Sequence, residues 1–170
     1  FLLAESLRKS GQPRAARRHY AELAERAEGE RLGEVVLGLL EVASDTGDFS
    51  GVERHVNALK AQSGRAESPQ IDFTFGKALF RGAASDVTRL SRALERFRSV
   101  PSGLSISAPA AYYAGVTLVR MGRLEEAVRA FERTLALADT HPESRRVREL
   151  AHLSLGRLHQ ELGQVSEALD

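Results

Sequence analysis

The chain has 170 residues, 42% of them hydrophobic and 28% charged, with 24 Lys and Arg against 23 Asp and Glu for a formal charge of +1. This is enough material for one folded domain with its own core, and it excludes a disordered chain. The interleaved, near-neutral charge excludes a global field aimed at nucleic acid or an anionic membrane, and the lack of cysteine excludes disulfides, thiolate zinc sites and cysteine nucleophiles.

From the N-terminus, apolar residues recur at three- and four-residue steps, the period of an amphipathic helix, and strand alternation is absent. Helices are predicted near 2–10 and 14–27, joined at Ser10-Gly11-Gln12-Pro13, and near 31–45 and 50–62, joined at Thr46-Gly47-Asp48. A third pair is predicted near 70–81 and 85–99 with Gly82 in the turn, and a fourth near 109–121 and 124–138 with the turn at Met121-Gly122-Arg123. A fifth follows at 144–162 and from 165 onward, turning at Gly163. Glycine suits these turns because a helix ends readily in a left-handed residue, a conformation that a side chain penalises. The breaks between pairs, at Ala27–Glu30, Gln62–Gln70, Pro101–Pro109 and Asp139–Glu143, carry the Gly, Pro and Ser that stop helices.

The pairs are copies of one unit. Equivalent first-helix positions Ala4, Leu40, Gly76, Gly115 and Gly156 are separated by 36, 36, 39 and 41 residues. A fixed period in this range signifies a stacked repeat architecture, and the joints absorb the drift. Gly115 and Gly156 are expected to admit a close second helix against Ala127 and Ala168, because an interior helix glycine costs about 1 kcal/mol relative to alanine and needs a packing return. The reading is an all-α, right-handed superhelical solenoid of about five hairpins, a single domain with units near 1–29, 30–66, 67–102, 107–142 and 144–170. The chain begins inside a first helix and stops inside a second, so it is expected to be part of a longer array whose unstacked ends leave apolar surface open to self-association.

The pattern of Gly115, Gly122, Ala127, Phe131 and Pro142, and again of Leu155, Gly156, Gly163 and Ala168, resembles the tetratricopeptide repeat. His152 stands where that family usually has a large aromatic, and His159 and Leu118 where it usually has tyrosine; every period exceeds the usual 34 or so. The resemblance implies a non-catalytic scaffold whose first helices line a concave groove for a protein or peptide ligand. The run Ala93–Pro101 followed by Ala110–Gly115 is similar to tetratricopeptide proteins of bacterial cell envelopes and motility machines. The long spacing is also similar to helical sensor domains of bacterial signalling ATPases and transcription regulators, which is the alternative reading. Arginine supplies 21 of the 24 basic residues, pointing to a GC-rich bacterial source. The compartment leans to the periplasm or envelope, with the cytoplasm second. No apolar run approaches the roughly 20 residues that span a bilayer, nothing at the start reads as a signal peptide, and Phe1 in place of methionine leaves room for an upstream address or anchor.

Catalytic patterns fail in turn. Gly76-Lys77 lacks the preceding glycine and following hydroxyl of a phosphate loop. Gly103-Leu104-Ser105-Ile106-Ser107 lacks the closing glycine and preceding strand of a nucleophile elbow. His152 and His159 are about 10.5 Å apart along a helix axis, too far to share one zinc ion, and are expected as core substitutes for aromatics. No catalytic, cofactor-binding or metal site is expected, and no cofactor. The clusters Arg14, Arg17, Arg18 and Arg145, Arg146, Arg148 are expected to be neutralised by Glu22, Glu25, Glu143 and Glu149 within one or two turns, and no aromatics interleave them for base stacking.

The repeat frame implies a groove lined by Glu34, Leu37, Gly38 and Glu41, then Phe73, Thr74, Lys77, Phe80 and Arg81, then Tyr112, Tyr113, Val119 and Arg120, then Leu153, Ser154 and Arg157. Its expected ligand contacts are Phe73, Lys77, Phe80, Arg81, Tyr112, Tyr113, Arg120 and Arg157, because aromatic and arginine side chains anchor interfaces. Phe73 and Tyr113 can equally pack between hairpins. Glu5, Gly38, Glu41 and Phe73 stand where chaperone-binding relatives carry a lysine and asparagine clamp, which disfavours chaperone tails. The expected partner is therefore a protein or peptide, with no nucleic acid and no direct membrane insertion.

Overall fold

A computed structural model describes residues 1–62, 68–137 and 142–167, and among them there are nine helices. They are α1 (Leu2–Lys9), α2 (Pro13–Ala24), α3 (Gly29–Thr46), α4 (Val52–Gln62), α5 (Ser68–Gly82), α6 (Val87–Arg98), α7 (Ser107–Arg120), α8 (Leu124–Ala136) and α9 (Pro142–Glu167). None is long and apolar enough to cross a membrane. The chain divides into two compact units, Phe1–Arg89 and Leu90–Asp170, with the division falling inside α6. Parts of the predicted joints at Gln62–Gln70 and Asp139–Glu143 lie outside the described residues, as do His141 and Ala168.

In the first unit α1 packs on α2, α2 on α3, and α3 on both α4 and α5. Pro13 opens α2, where its missing N–H forfeits no helical bond. Gly11 (φ +76°) and Gly47 (φ +69°) are left-handed, as the turns require. Around Gly11 the Gln12 N–H donates to Leu7 O at 2.9 Å, closing the end of α1. Tyr20 is fully buried, and a Cβ on Gly38 would sit 2.5 Å from two of its ring atoms. The glycine thus lets α3 approach the ring on α2. At the third turn the expectation is corrected: Gly82 ends α5, and the left-handed residue is Ala84 (φ 46°). Glycine at 82 serves packing, since a Cβ there would lie 2.8 Å from the Phe49 ring. Asp86 then caps α6, accepting from the Arg89 N–H at 3.0 Å.

In the second unit α7 and α8 form a hairpin, and α9 packs on both. Gly122 (φ +72°) reverses the chain; its N–H donates to Val119 O and the Arg123 N–H to Leu118 O, each at 3.0 Å. A Cβ on Gly115 would lie 2.6 Å from Phe131, so the expected close approach is present, with the ring of Phe131 filling the space.

The fifth hairpin differs from expectation. α9 runs unbroken through Gly163, which has no positive φ, and both Gly156 and Gly163 face open space. An interior glycine costs a helix only about 1 kcal/mol, too little to stop it where no second helix packs back among the described residues. For the same reason His152 and His159 are exposed rather than core residues, while Val147, Ala151 and Leu158 face the hairpin and are buried.

Candidate functional site

Helices α7 and α9 lie side by side in the second unit, and Tyr112 joins them. Its ring meets Phe131 at 5.7 Å and Tyr113 at 5.9 Å, and its hydroxyl is hydrogen-bonded to Ser154. Burial, then the neighbouring Tyr113, push its pKa up. Tyr113 stacks on Phe97 at 5.5 Å. Both tyrosines are half-buried, so each is chiefly a seam residue presenting one edge. Beyond the seam the surface is apolar and basic. Leu150, Leu153 and Arg157 follow one another at i, i+3 and i+7 along α9, all exposed, with Leu153 63% accessible. On α7, Val119 and Arg120 are exposed. Leu150 is the member of this strip absent from the sequence-derived frame; its i, i+3 relation to Leu153 was the available signal.

In the first unit the corresponding first helices are α1, α3 and α5. Glu30, Glu34, Leu37, Glu41 and Asp45 are all exposed at helical spacing along α3. Arg8 on α1 bridges Glu5 and Glu41, each at 3.1 Å. The Tyr20 hydroxyl donates to Glu5, which with Arg8 holds that carboxyl below its ordinary range. Glu5 and Gly38, assigned to the groove wall by the repeat frame, are thereby engaged in packing. Phe73 is corrected in the same way: it is 1% exposed, with the Lys77 ammonium 4.7 Å from its ring centroid. The large ring, one helical step from solvent, is taken into the core and its cation partner covers it. Lys77 and Phe80 are half-buried, and Arg81 is exposed. The eight sequence-derived residues thus fall into two sets, four in each unit, of which Arg81, Arg120 and Arg157 are fully presented.

The second-helix side carries grooves of its own. One of about 860 Å³ runs between α2 and α4 with Leu39 behind it, and another of about 190 Å³ lies among α6, α7 and α8. Among the described residues no three His, Asp or Glu side chains converge as a metal site would need.

Two tetratricopeptide repeat models match the chain, one at residues 1–22, over α1 and most of α2, and one at residues 114–145, over the end of α7 and all of α8. No curated protein and no solved structure matches it. Tetratricopeptide repeats in general mediate protein–protein interaction. Both matches fall on helical hairpins turned by a left-handed glycine, so the chain carries tetratricopeptide repeats over these two stretches, within an all-α, helical-repeat fold that has no strand among the described residues.

Proposed function

We propose that this protein is a non-catalytic interaction scaffold that takes an apolar-anchored peptide segment on the first-helix surface of its second unit. The carrying observation is the exposed strip of Leu150, Leu153 and Arg157 on α9, which packs on an α7 that exposes Val119 and Arg120 at its C-terminal end. A single exposed leucine is ordinary, whereas several apolar side chains at helical spacing, flanked by arginines on two packed helices, have the composition of an interface centre with its charged rim. Arg81 and Phe80 on α5 are the equivalent contacts in the first unit. Assembly of a bacterial envelope or motility complex is the setting that sequence resemblance suggests, and a signal peptide in the full-length chain would support it.

The test is selection of binding peptides from a displayed library, followed by titration of the selected peptides against variants. Leu153→Glu and Arg157→Glu alter exposed side chains and are expected to leave the fold intact. The selected peptides are expected to carry large apolar residues and to bind Leu153→Glu about tenfold or more weakly, the cost of a charge buried against an apolar anchor. Undiminished binding by both variants would overturn the assignment.

A further inference from the structure

The sequence suggests that Arg14, Arg17 and Arg18 are neutralised by Glu22 and Glu25. In the structure those glutamates are engaged elsewhere: Glu22 lies 3.7 Å from His19, and Glu25 pairs with Arg54 on α4 and approaches His55. Arg17 is held by Asp48 at 2.6 Å and also donates to the Ser50 carbonyl. Asp48 in turn accepts the Ser50 hydroxyl at 2.6 Å and the Ser50 N–H at 3.0 Å. Arg14 and Arg18 make no ion pair among the described residues and stand exposed one turn apart on α2. All three arginines line the groove of about 860 Å³ between α2 and α4, and Asp48 is the one carboxylate among its lining residues.

We propose that this groove binds an acidic peptide segment, with Arg14 and Arg18 pairing its carboxylates and the clamped Arg17 fixing the wall between them. The site lies on the second helices, apart from the first-helix surface, and does not depend on that reading. Its chemistry favours peptide over nucleic acid. No Phe, Tyr or Trp lines the groove to stack on bases, and the one imidazole there, His55, is buried. Thr46 and Ser50 at its rim give their hydroxyl protons to Val42 O and Asp48, which leaves each oxygen able to accept from a peptide N–H. The smaller cleft of the second unit repeats the chemistry with Arg98, Arg129 and Arg133 around Glu126, but about 190 Å³ suits one acidic side chain rather than a segment.

The probe is a fluorescein-labelled peptide of alternating glutamate and leucine, followed by anisotropy, with its glutamine counterpart and a single-stranded oligonucleotide as competitors. The wild-type chain is expected to bind the glutamate peptide about tenfold or more tightly than the glutamine one, with affinity falling as salt rises. The double variant Arg14→Glu/Arg18→Glu is expected to lose about tenfold or more while keeping the wild-type thermal unfolding profile. Arg26→Glu/Arg31→Glu, an equal charge change on exposed residues outside the groove, is expected to retain binding. Retained affinity in the first double variant, equal loss in the second, or displacement by the oligonucleotide at lower concentration than the glutamine peptide would each overturn the proposal. Loss confined to Arg157→Glu would place the peptide on the first-helix surface, overturning this site while leaving the proposed function standing.

Discussion

In the first unit the ring of Tyr20 on α2 lies over Gly38 on α3, the next hairpin along; in the second, the ring of Phe131 on α8 lies over Gly115 on α7, its own hairpin partner. The clearances are nearly the same, 2.5 Å and 2.6 Å from the position of an added Cβ. The same chemistry therefore does two things. Over Gly115 it closes a hairpin, and over Gly38 it joins one hairpin to another. The Tyr20 ring is additionally tied to α1, because its hydroxyl donates to Glu5, and Arg8 carries the tie on to Glu41 of α3. A hairpin-closing contact can be found from spacing alone. A hairpin-joining contact depends on a joint whose length varies.

The largest expected effect is at Phe131. Phe131→Ala removes a buried ring and is expected to cost about 3–5 kcal/mol by urea denaturation. Once the ring is gone, adding Gly115→Ala should become neutral or stabilising, because helix propensity then favours alanine. A Gly115→Ala cost that persists without the ring would break the pairing of these two residues.

Smaller and opposite in sign is the change at Gly156. Its place in the repeat marks it as a close-packing glycine, yet nothing lies within 4 Å of where a Cβ would be. Gly156→Ala is expected to raise stability by up to about 1 kcal/mol, read as an upward shift in thermal midpoint. A downward shift would mean that this face of α9 is covered.

The two units should also separate by pH. His55, buried in the first unit, has its pKa lowered, first by burial and then by the nearby Arg54, against a smaller opposing pull from Glu25. The unfolded chain then takes up the proton first, so stability should decline as pH falls below about 6.5, the ordinary histidine value. Glu5 contributes in a separate window. Its lowered pKa adds stability that is complete above the ordinary value of 4.5 and is lost as pH falls through its folded value. The His55→Leu variant should remove the upper dependence and keep the lower one. An unchanged profile near pH 6 in that variant would assign the dependence to another group.

Much of the fold was legible because each repeat announces itself locally. Gly11, Gly47 and Gly122 were identifiable as turns since the left-handed conformation restricts the choice of residue. Gly163 carries the same local signal and is helical, because the turn needs a returning helix to reward it, and that is a tertiary fact. The exposure of His152 and His159 follows from the same missing cover. Arg81, Arg120 and Arg157 are exposed, as charge keeps a side chain in water, whereas Phe73 is buried because one residue of rotation, about 100°, decides between core and groove. For Arg14 and Arg18 the sequence offers only partners on the same helix, whereas in the structure Glu25 crosses to Arg54 on α4.

Hydrogen exchange on Gly38→Ala and Gly115→Ala, compared helix by helix, tests the central contrast most directly. Each new methyl must displace a buried ring, an overpacking cost of about 1–3 kcal/mol, partly offset by helix propensity. Gly38→Ala is expected to lose protection in α1 and α2 while α4 and α5 keep theirs, because a joint has been loosened. Gly115→Ala is expected to lose protection in α7 and α8 together, because a hairpin has been opened. The same even loss across each unit in both variants would contradict that contrast.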